Sequence, residues 1–405
     1  MRVPALLMFV GLMSAITGSV HYYIWARLVR DTALPAAAFR ALTALVVVLF
    51  VSVPLSFWLS RWLPPHHGRA LLYAAYTWMG LMFYLLVLLG SVDLGRGLWH
   101  LGVWVSGLFG HQAVPIDSAS RTATARLMAL AVTALAVSLG GLGMLSAAQP
   151  PRVRELRVAI PRFPRELGET VLVQVTDLHL GPTLRRKFLE DVVERTNALR
   201  PDVIVITGDV ADGSVTSLRD MVAPLGELRA RWGVFFVTGN HEFYAGVDAW
   251  CAEFRRLGIR TLRAERVTVG DGEHFFDLAG VDDLEARRFT GGAGTDLGAV
   301  LAGRDPSRAL VLLAHQPRVV FDAQRYGVDL QLSGHTHGGQ FWPWLHMVRL
   351  QQPVVSGLGR FGDTFVYASN GTGYWGPPMR LGVPAEITQV ILTHAEGSPR
   401  AERGP

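Results

Sequence analysis

The chain has 405 residues, 38 Lys and Arg against 33 Asp and Glu, and a 50% hydrophobic composition; it is too long for one ordinary domain and too apolar for a wholly soluble one. A lone cysteine, Cys251, excludes an internal disulfide framework and a cysteine-rich zinc or iron–sulfur site, so any metal must use His, Asp and Asn. The net charge of +5 is nearly all arginine, Lys187 being the only lysine, and no basic run interleaved with aromatics suggests a nucleic-acid partner; the arginine richness reads mainly as compositional bias, with anionic lipid head groups as the alternative account of it, and membrane lipid is an expected partner of the protein.

The first 150 residues predict a transmembrane domain of about four helices. Met1 to Ile24, Ala41 to Leu59, Leu71 to Leu89 and Leu127 to Ala147 are apolar over about the twenty residues needed to cross a bilayer. Leu98 to Ala119, with Trp99, Trp104 and Phe109, reads as a segment lying at the interface. His21, His100 and His111 stand alone and read as incidental or interfacial. Arginines flanking the spans are nearly balanced, so they leave open the membrane side of the second domain. A multi-pass protein of the cytoplasmic membrane is expected.

Gln149-Pro150-Pro151 marks a boundary, and residues 151–168 read as a basic juxtamembrane linker in which Pro161 and Pro164 discourage helix. Strand-like and helical runs then alternate: strands at Val171 to Val175, Val203 to Ile206 and Val234 to Val237, helices at Arg186 to Leu199, Ser217 to Arg231 and Val247 to Leu257. This is the texture of an α/β domain with its functional loops at the strand ends. Further strands are predicted at Phe275 to Ala279, Ala309 to Leu313, Leu330 to Leu332, Thr364 to Ala368 and Ile387 to Leu392, forming a second sheet packed on the first. The domain spans 169–393, and the polar tail 394–405 reads as disordered.

The chemistry lies directly after these apolar runs. Asp177-Leu178-His179, Gly208-Asp209, Gly239-Asn240-His241-Glu242, Ala314-His315 and Gly334-His335-Thr336-His337 each follow a strand, where side chains from distant segments converge. Along an extended backbone Asp177 and His179 would share one face, as would His335 and His337. Singly these are turn or core residues; five in this order predict one metal site.

The ordered set resembles the signature of calcineurin-like metallophosphoesterases, over roughly Val171 to Leu392. The resemblance implies an α/β fold, a four-layer α/β/β/α sandwich here preceded by the helical membrane domain, with a two-metal centre. Asp177, His179 and His337 would hold one divalent ion, Asn240, His315 and His335 the other, and Asp209 would bridge them. All-N/O ligation suits Mn, Zn or Fe, and such a pair serves attack of a bridging hydroxide on phosphorus. His241 would act as general acid, with Asp212 orienting it. Gly213 stands where protein phosphatases of the family usually have arginine, which counts against a phosphoprotein substrate. Asn370 to Arg380 resembles the end of membrane-tethered bacterial phosphohydrolases, some of which act on lipid-linked or nucleotide-sugar pyrophosphates.

The expected function is therefore hydrolysis of a phosphodiester or pyrophosphate. A non-catalytic membrane sensor with a structural metal site, and a nucleotide phosphodiesterase or nuclease, remain as alternatives. Candidate substrate contacts are Arg185, Arg186 and Lys187 just past the first cluster, Tyr374, and the aromatic stretch from Phe341 to Val348, whose Trp342 and Trp344 would either form a flap at the bilayer interface or lie buried between the sheets.

Overall fold

A computed structural model describes residues 3–62, 68–109, 117–289, 291, 295–396 and 400–403. It divides into two compact units, Met1–Met144 with Pro377–Met379, and Leu145–Gly376 with Arg380–Pro405.

The first unit is helical: α1 (Val3–Trp25), α2 (Ala36–Trp62), α3 (Arg69–Leu108) and α4 (Ser118–Ala147). Among the described residues three stretches are long and apolar enough to cross a membrane: Ala36–Ser56, Arg69–Leu108 and Ser118–Ala147. Their apolar side chains are largely exposed, including Leu45, Val48 and Leu130, as lipid-facing surfaces are. Helix α1 covers the remaining expected span.

The segment expected at the interface is not a separate element up to Leu108. It continues α3, which runs 40 residues, about 60 Å at 1.5 Å per residue and twice the hydrocarbon thickness; residues 110–116, with His111, lie outside the described residues. Beyond the expected end of that span, Asp93 accepts from Tyr23 Oη at 2.6 Å and Arg27 Nε at 2.8 Å. His21 is buried and accepts from Trp78 Nε1 at 2.9 Å, a helix-to-helix bond rather than an incidental position.

Among the described residues the second unit has thirteen strands. Strands β1 (Arg152–Ile160), β2 (Thr170–Val175), β3 (Val203–Ile206), β4 (Val234–Phe236), β5 (Arg260–Thr261), β6 (Glu265–Gly270), β7 (Phe275–Gly280), β8 (Leu310–Leu313), β9 (Leu330–Ser333), β10 (Gly357–Phe361), β11 (Thr364–Ala368), β12 (Glu386–His394) and β13 (Arg400–Arg403) form two mixed sheets. Their orders are β13-β1-β12-β2-β3-β4-β5 and β10-β11-β9-β8-β7-β6.

Alternation along the strands sets the layers. Val203 and Val205, with Val311 and Leu313, join the core between the sheets. Ile204 and Ile206 face the other way, against α5 (Arg186–Ala198), α6 (Val215–Val222) and α8 (Val247–Arg256) through Leu189, Leu218 and Phe254. Leu310 and Leu312 pack on Leu297 and Leu301 outside the second sheet. Strands covered on both faces read as unbroken apolar runs, which is why Val203–Ile206 is all Val and Ile. The result is the four-layer α/β/β/α sandwich.

Two boundaries differ from the sequence reading. Arg152–Ile160 is no linker but a sheet strand, parallel to β12 over its whole length, with Leu156, Val158 and Ile160 buried beneath the arginines; Pro161 and Pro164 come just after it. The tail is likewise ordered at Arg400–Arg403, paired antiparallel with β1, while 397–399 and 404–405 lie outside the described residues. The helix expected over Ser217 to Arg231 is shorter: α6 ends at Val222 and a 3-10 turn continues over Ala223–Glu227, because Pro224 cannot donate to the preceding turn.

Candidate metal centre

Every motif sits at a strand's carboxyl end, and the two sheets carry them to one place. Asp177 and His179 follow β2, Asp209 follows β3, Asn240 and His241 open α7 (Asn240–Ala245) after β4, His315 follows β8, and His335 and His337 follow β9.

The expected extended geometry of the two His/Asp pairs is not found. Asp177, His179, Asp209, His335 and His337 all have positive φ, between 45° and 68°. Left-handed backbone is costly for residues with a Cβ and persists where the surroundings impose it. Gly208 (φ +93°) supports one such turn: a Cβ there would meet the Gly239 nitrogen at 2.6 Å and His315 Nδ1 at 2.7 Å.

Among the described residues three clusters with ligand spacing result: Asp177 with His179 and His337, Asp209 with His315 and His335, and His179 with Asp212 and His241; the first two are made wholly of predicted ligands. Asp209 Oδ2 lies 3.2 Å from His315 Nε2 and 3.7 Å from His179 Nε2, between the two groups. Asn240 Oδ1 stands 3.1 Å from His335 Nδ1. The seven predicted ligands are thus brought together.

The donor set fits a pair of cations. His179 Nε2 and His337 Nε2 face each other at 3.1 Å; with His179 Nδ1 given to Asp212, its Nε2 presents a lone pair that either a cation or the His337 N–H can meet. Among the described residues His315 Nε2 and His337 Nδ1 are buried without a hydrogen-bond partner. Burial, reinforced by His179, holds His337 well below the ordinary imidazole pKa. Burial and His315 lower His335 to about 3. Both shifts favour the neutral ring, the form that can donate a lone pair to a cation. Burial opposes charge on His315, but Asp209 outweighs it and raises its pKa well above the usual value. Thr207 oxygen at 2.7 Å fixes the His315 ring through Nδ1, as outer partners of ligating histidines do.

Asp212 serves two histidines. Its Oδ1 accepts from His179 Nδ1 at 2.8 Å and from His241 Nδ1 at 2.7 Å. Burial raises a carboxyl pKa, but the two imidazoles outweigh it and hold Asp212 well below the carboxylate range. Burial likewise opposes charge on His241, and Asp209 with Asp212 overcomes it, raising it to about 9. A protonated His241 beside the ligands is a proton donor.

Sequence reasoning assigned Glu242 no role. Its buried carboxylate accepts from the backbone N–H of Gly239 (2.7 Å), Asp209 (3.0 Å) and Val210 (2.8 Å), clasping the Gly-Asp turn to the Gly-Asn-His-Glu turn. Arg380 stood out in the sequence only as the last residue of a motif. It is fully buried, its pKa lowered to about 10 by burial, and it donates to the carbonyls of Asn370, Gly373 and Val383. That locks the loop whose Thr372 and Gly373 N–H groups bond Thr176 and Asp177 oxygens at 2.8 and 2.9 Å.

The candidate substrate contacts fare unequally. Arg186 is engaged by Glu190 and the Asp220 carbonyl, Lys187 by Asp191, each at 2.8 Å, on an exposed helix surface; Arg185 precedes them, half-buried. Trp342 and Trp344 are not buried between the sheets but 51% and 44% exposed, beside exposed Met347 and Leu350. Tyr374 is buried; the ring of its neighbour Trp375 lies 5.8 Å from that of His241.

Fold and site together define a metal-binding α/β/β/α sandwich protein with membrane helices. Residues 170–339 match the Calcineurin-like phosphoesterase family. A transmembrane protein with metallophosphoesterase domain from Bos taurus is 38% identical over 390 residues, 92% of this chain and 86% of that protein. An uncharacterised metallophosphoesterase of Campylobacter jejuni is 35% identical over 265 residues, 65% of this chain and 68% of that one. The chain belongs to the calcineurin-like metallophosphoesterase family.

Proposed function

We propose that the protein, anchored in the cell membrane, hydrolyses a phosphodiester or pyrophosphate at a dinuclear centre. The observation that carries this is the convergence of two ligand groups on Asp209 beside His241, whose Nδ1 is held by Asp212. A pair of divalent ions, Mn, Zn or Fe, supplies charge neutralisation for the phosphoryl oxygens and acidifies a water. Asp177, His179 and His337 would hold one ion, Asn240, His315 and His335 the other, with Asp209 shared. His241 gives its Nε2 proton to the leaving oxygen, while Asp212 keeps the ring oriented through Nδ1 and stabilises its charge.

The test is hydrolysis of bis-p-nitrophenyl phosphate and p-nitrophenyl phosphate by metal-stripped protein resupplied with each ion, beside Asp209→Asn and His241→Ala. Metal-dependent turnover abolished in the first variant is expected; because p-nitrophenolate leaves without a proton, the second should keep much of its activity on these esters and lose about 10²–10⁴-fold on an added alkyl phosphodiester, whose alkoxide needs the acid. Metal bound at the site with no turnover of any phosphoester would favour the sensor reading.

A second reading concerns substrate class. The exposed Trp342, Trp344, Met347 and Leu350 on one loop after His337 favour an amphiphilic phosphoester met at a lipid surface. Trp342→Ala combined with Trp344→Ala should weaken affinity for a liposome-borne substrate; unchanged affinity and turnover there would remove this reading.

A further inference from the structure

Helix α3 outruns the bilayer. From Arg69 to Asp93 it already rises about 36 Å at 1.5 Å per residue, past the roughly 30 Å of a hydrocarbon core. Charge gathers at that level: Arg27 meets Asp93 and Asp31, each at 2.8 Å, and Arg96 lies 3.7 Å from Asp93. Arg126 of α4 donates to the carbonyls of Thr32 and Ala33 at 2.8 and 2.7 Å. Such a belt of charge stands at a membrane surface, not in hydrocarbon. Residues 94–108 therefore carry the helix beyond it.

The apolar side chains of this extension fall on one line. Leu94, Leu98, Leu101, Val105 and Leu108 alternate spacings of four and three residues, the a/d pattern of a coiled-coil seam, with Leu98 and Val105 at a and the others at d. All five are 39–67% exposed, whereas Arg96 and Val103, at the opposite f positions, are half-buried. Beside the line, at the e and g positions, stand Gly95, Gly97, Gly102 and Trp104. A Cβ added to any of the three glycines would meet nothing within 4 Å, so a second helix can approach closely. No charge flanks the line.

We propose that this line is the seam of a parallel, two-stranded coiled coil between two copies of the chain. Copies in one membrane share their orientation, so the extensions run parallel and in register, and each residue meets its own counterpart across a two-fold axis along the bilayer normal. Leu at d with Val105 at a is a two-stranded combination. A different or antiparallel partner would be selected by charges at e and g, and those positions carry none. The bilayer is not the occupant, because α3 is unbroken over 40 residues and does not turn at Asp93 to lie along the surface. Two heptads are short for a free coiled coil. Here the helix is already formed as the continuation of a span, and the membrane holds both copies at high effective concentration.

The test is cross-linking of the full-length protein in lipid vesicles with a short bismaleimide, in Leu94→Cys and Leu101→Cys on the line and His100→Cys off it. The parent supplies the blank, since Cys251 is buried. Both variants on the line should give a band at twice 44.3 kDa; His100→Cys, exposed at a c position, should give none. Adding Leu98→Glu and Leu101→Glu to Leu94→Cys should abolish its band with the melting curve unchanged, because both leucines are exposed. Where the glutamate variant melts earlier, the positional pattern of the cysteines alone decides. No band from either variant on the line, equal bands from all three, a product of another mass, or a band that survives both glutamates would each overturn the proposal.

Discussion

Glu242 offers a direct measure of how tightly the site is braced. Its Oε2 accepts from Gly239 and Asp209, and its Oε1 from Val210. In Glu242→Gln the shape is kept but one acceptor oxygen becomes a donor, which then faces at least one buried N–H. A buried donor left without an acceptor costs about 1–3 kcal/mol. Glu242→Ala orphans all three; setting against that the relief of no longer burying a carboxylate, the net is about 2–5 kcal/mol. At about 2–4 °C per kcal/mol for a domain of this size, the amide variant should melt about 2–12 °C lower and the alanine variant lower still. Both lie behind Asp209, so metal content should fall with stability. The assay is near-ultraviolet circular dichroism of the metal-stripped protein on heating, with metal content by mass spectrometry after reloading. Melting within a degree of the parent in both variants, with full metal content, would refute the clasp.

Asp212→Asn removes the charge that holds two imidazoles through Nδ1. Metal affinity or turnover should drop about 10–100-fold, as for other outer partners of ligand histidines, read by chelator competition. Gly208→Ala should cost more than an ordinary surface change, because the new Cβ would meet the Gly239 backbone and His315 in a positive-φ turn; loss of metal binding at unchanged secondary structure is the expected result. The buried Cys251 thiol is pushed up to about 11 by burial. The reactive thiolate is therefore scarce below that pH in the native state and more abundant once unfolding returns the pKa to about 8.5. At pH 8 a disulfide reagent should react about two-hundredfold faster in denaturant than in buffer, and equal rates would contradict the burial.

What the sequence could express was whatever is local. Each ligand comes after an apolar run, and a strand buried on both faces is legible as Val203–Ile206 without any knowledge of its neighbours. The residues read as ligands come together even though the assumed backbone is not found: Asp177 and His179 both turn through left-handed conformations, and nothing in an Asp-x-His spacing distinguishes that from an extended strand. The misread segments share a cause. Arg152–Ile160 carries arginines and precedes two prolines, so by composition it is a linker. Its partner in the sheet is Glu386–His394, more than two hundred residues away, and only that pairing makes Leu156, Val158 and Ile160 a buried edge of the core. Arg380 illustrates the same limit from the chemical side. A buried arginine that donates to the backbone carbonyls of Asn370, Gly371, Gly373 and Val383 is costly unless those carbonyls are already gathered. The loop that gathers them is itself bonded to Thr176 and Asp177, so the arginine and the first metal ligand depend on one another through contacts no sequence window contains.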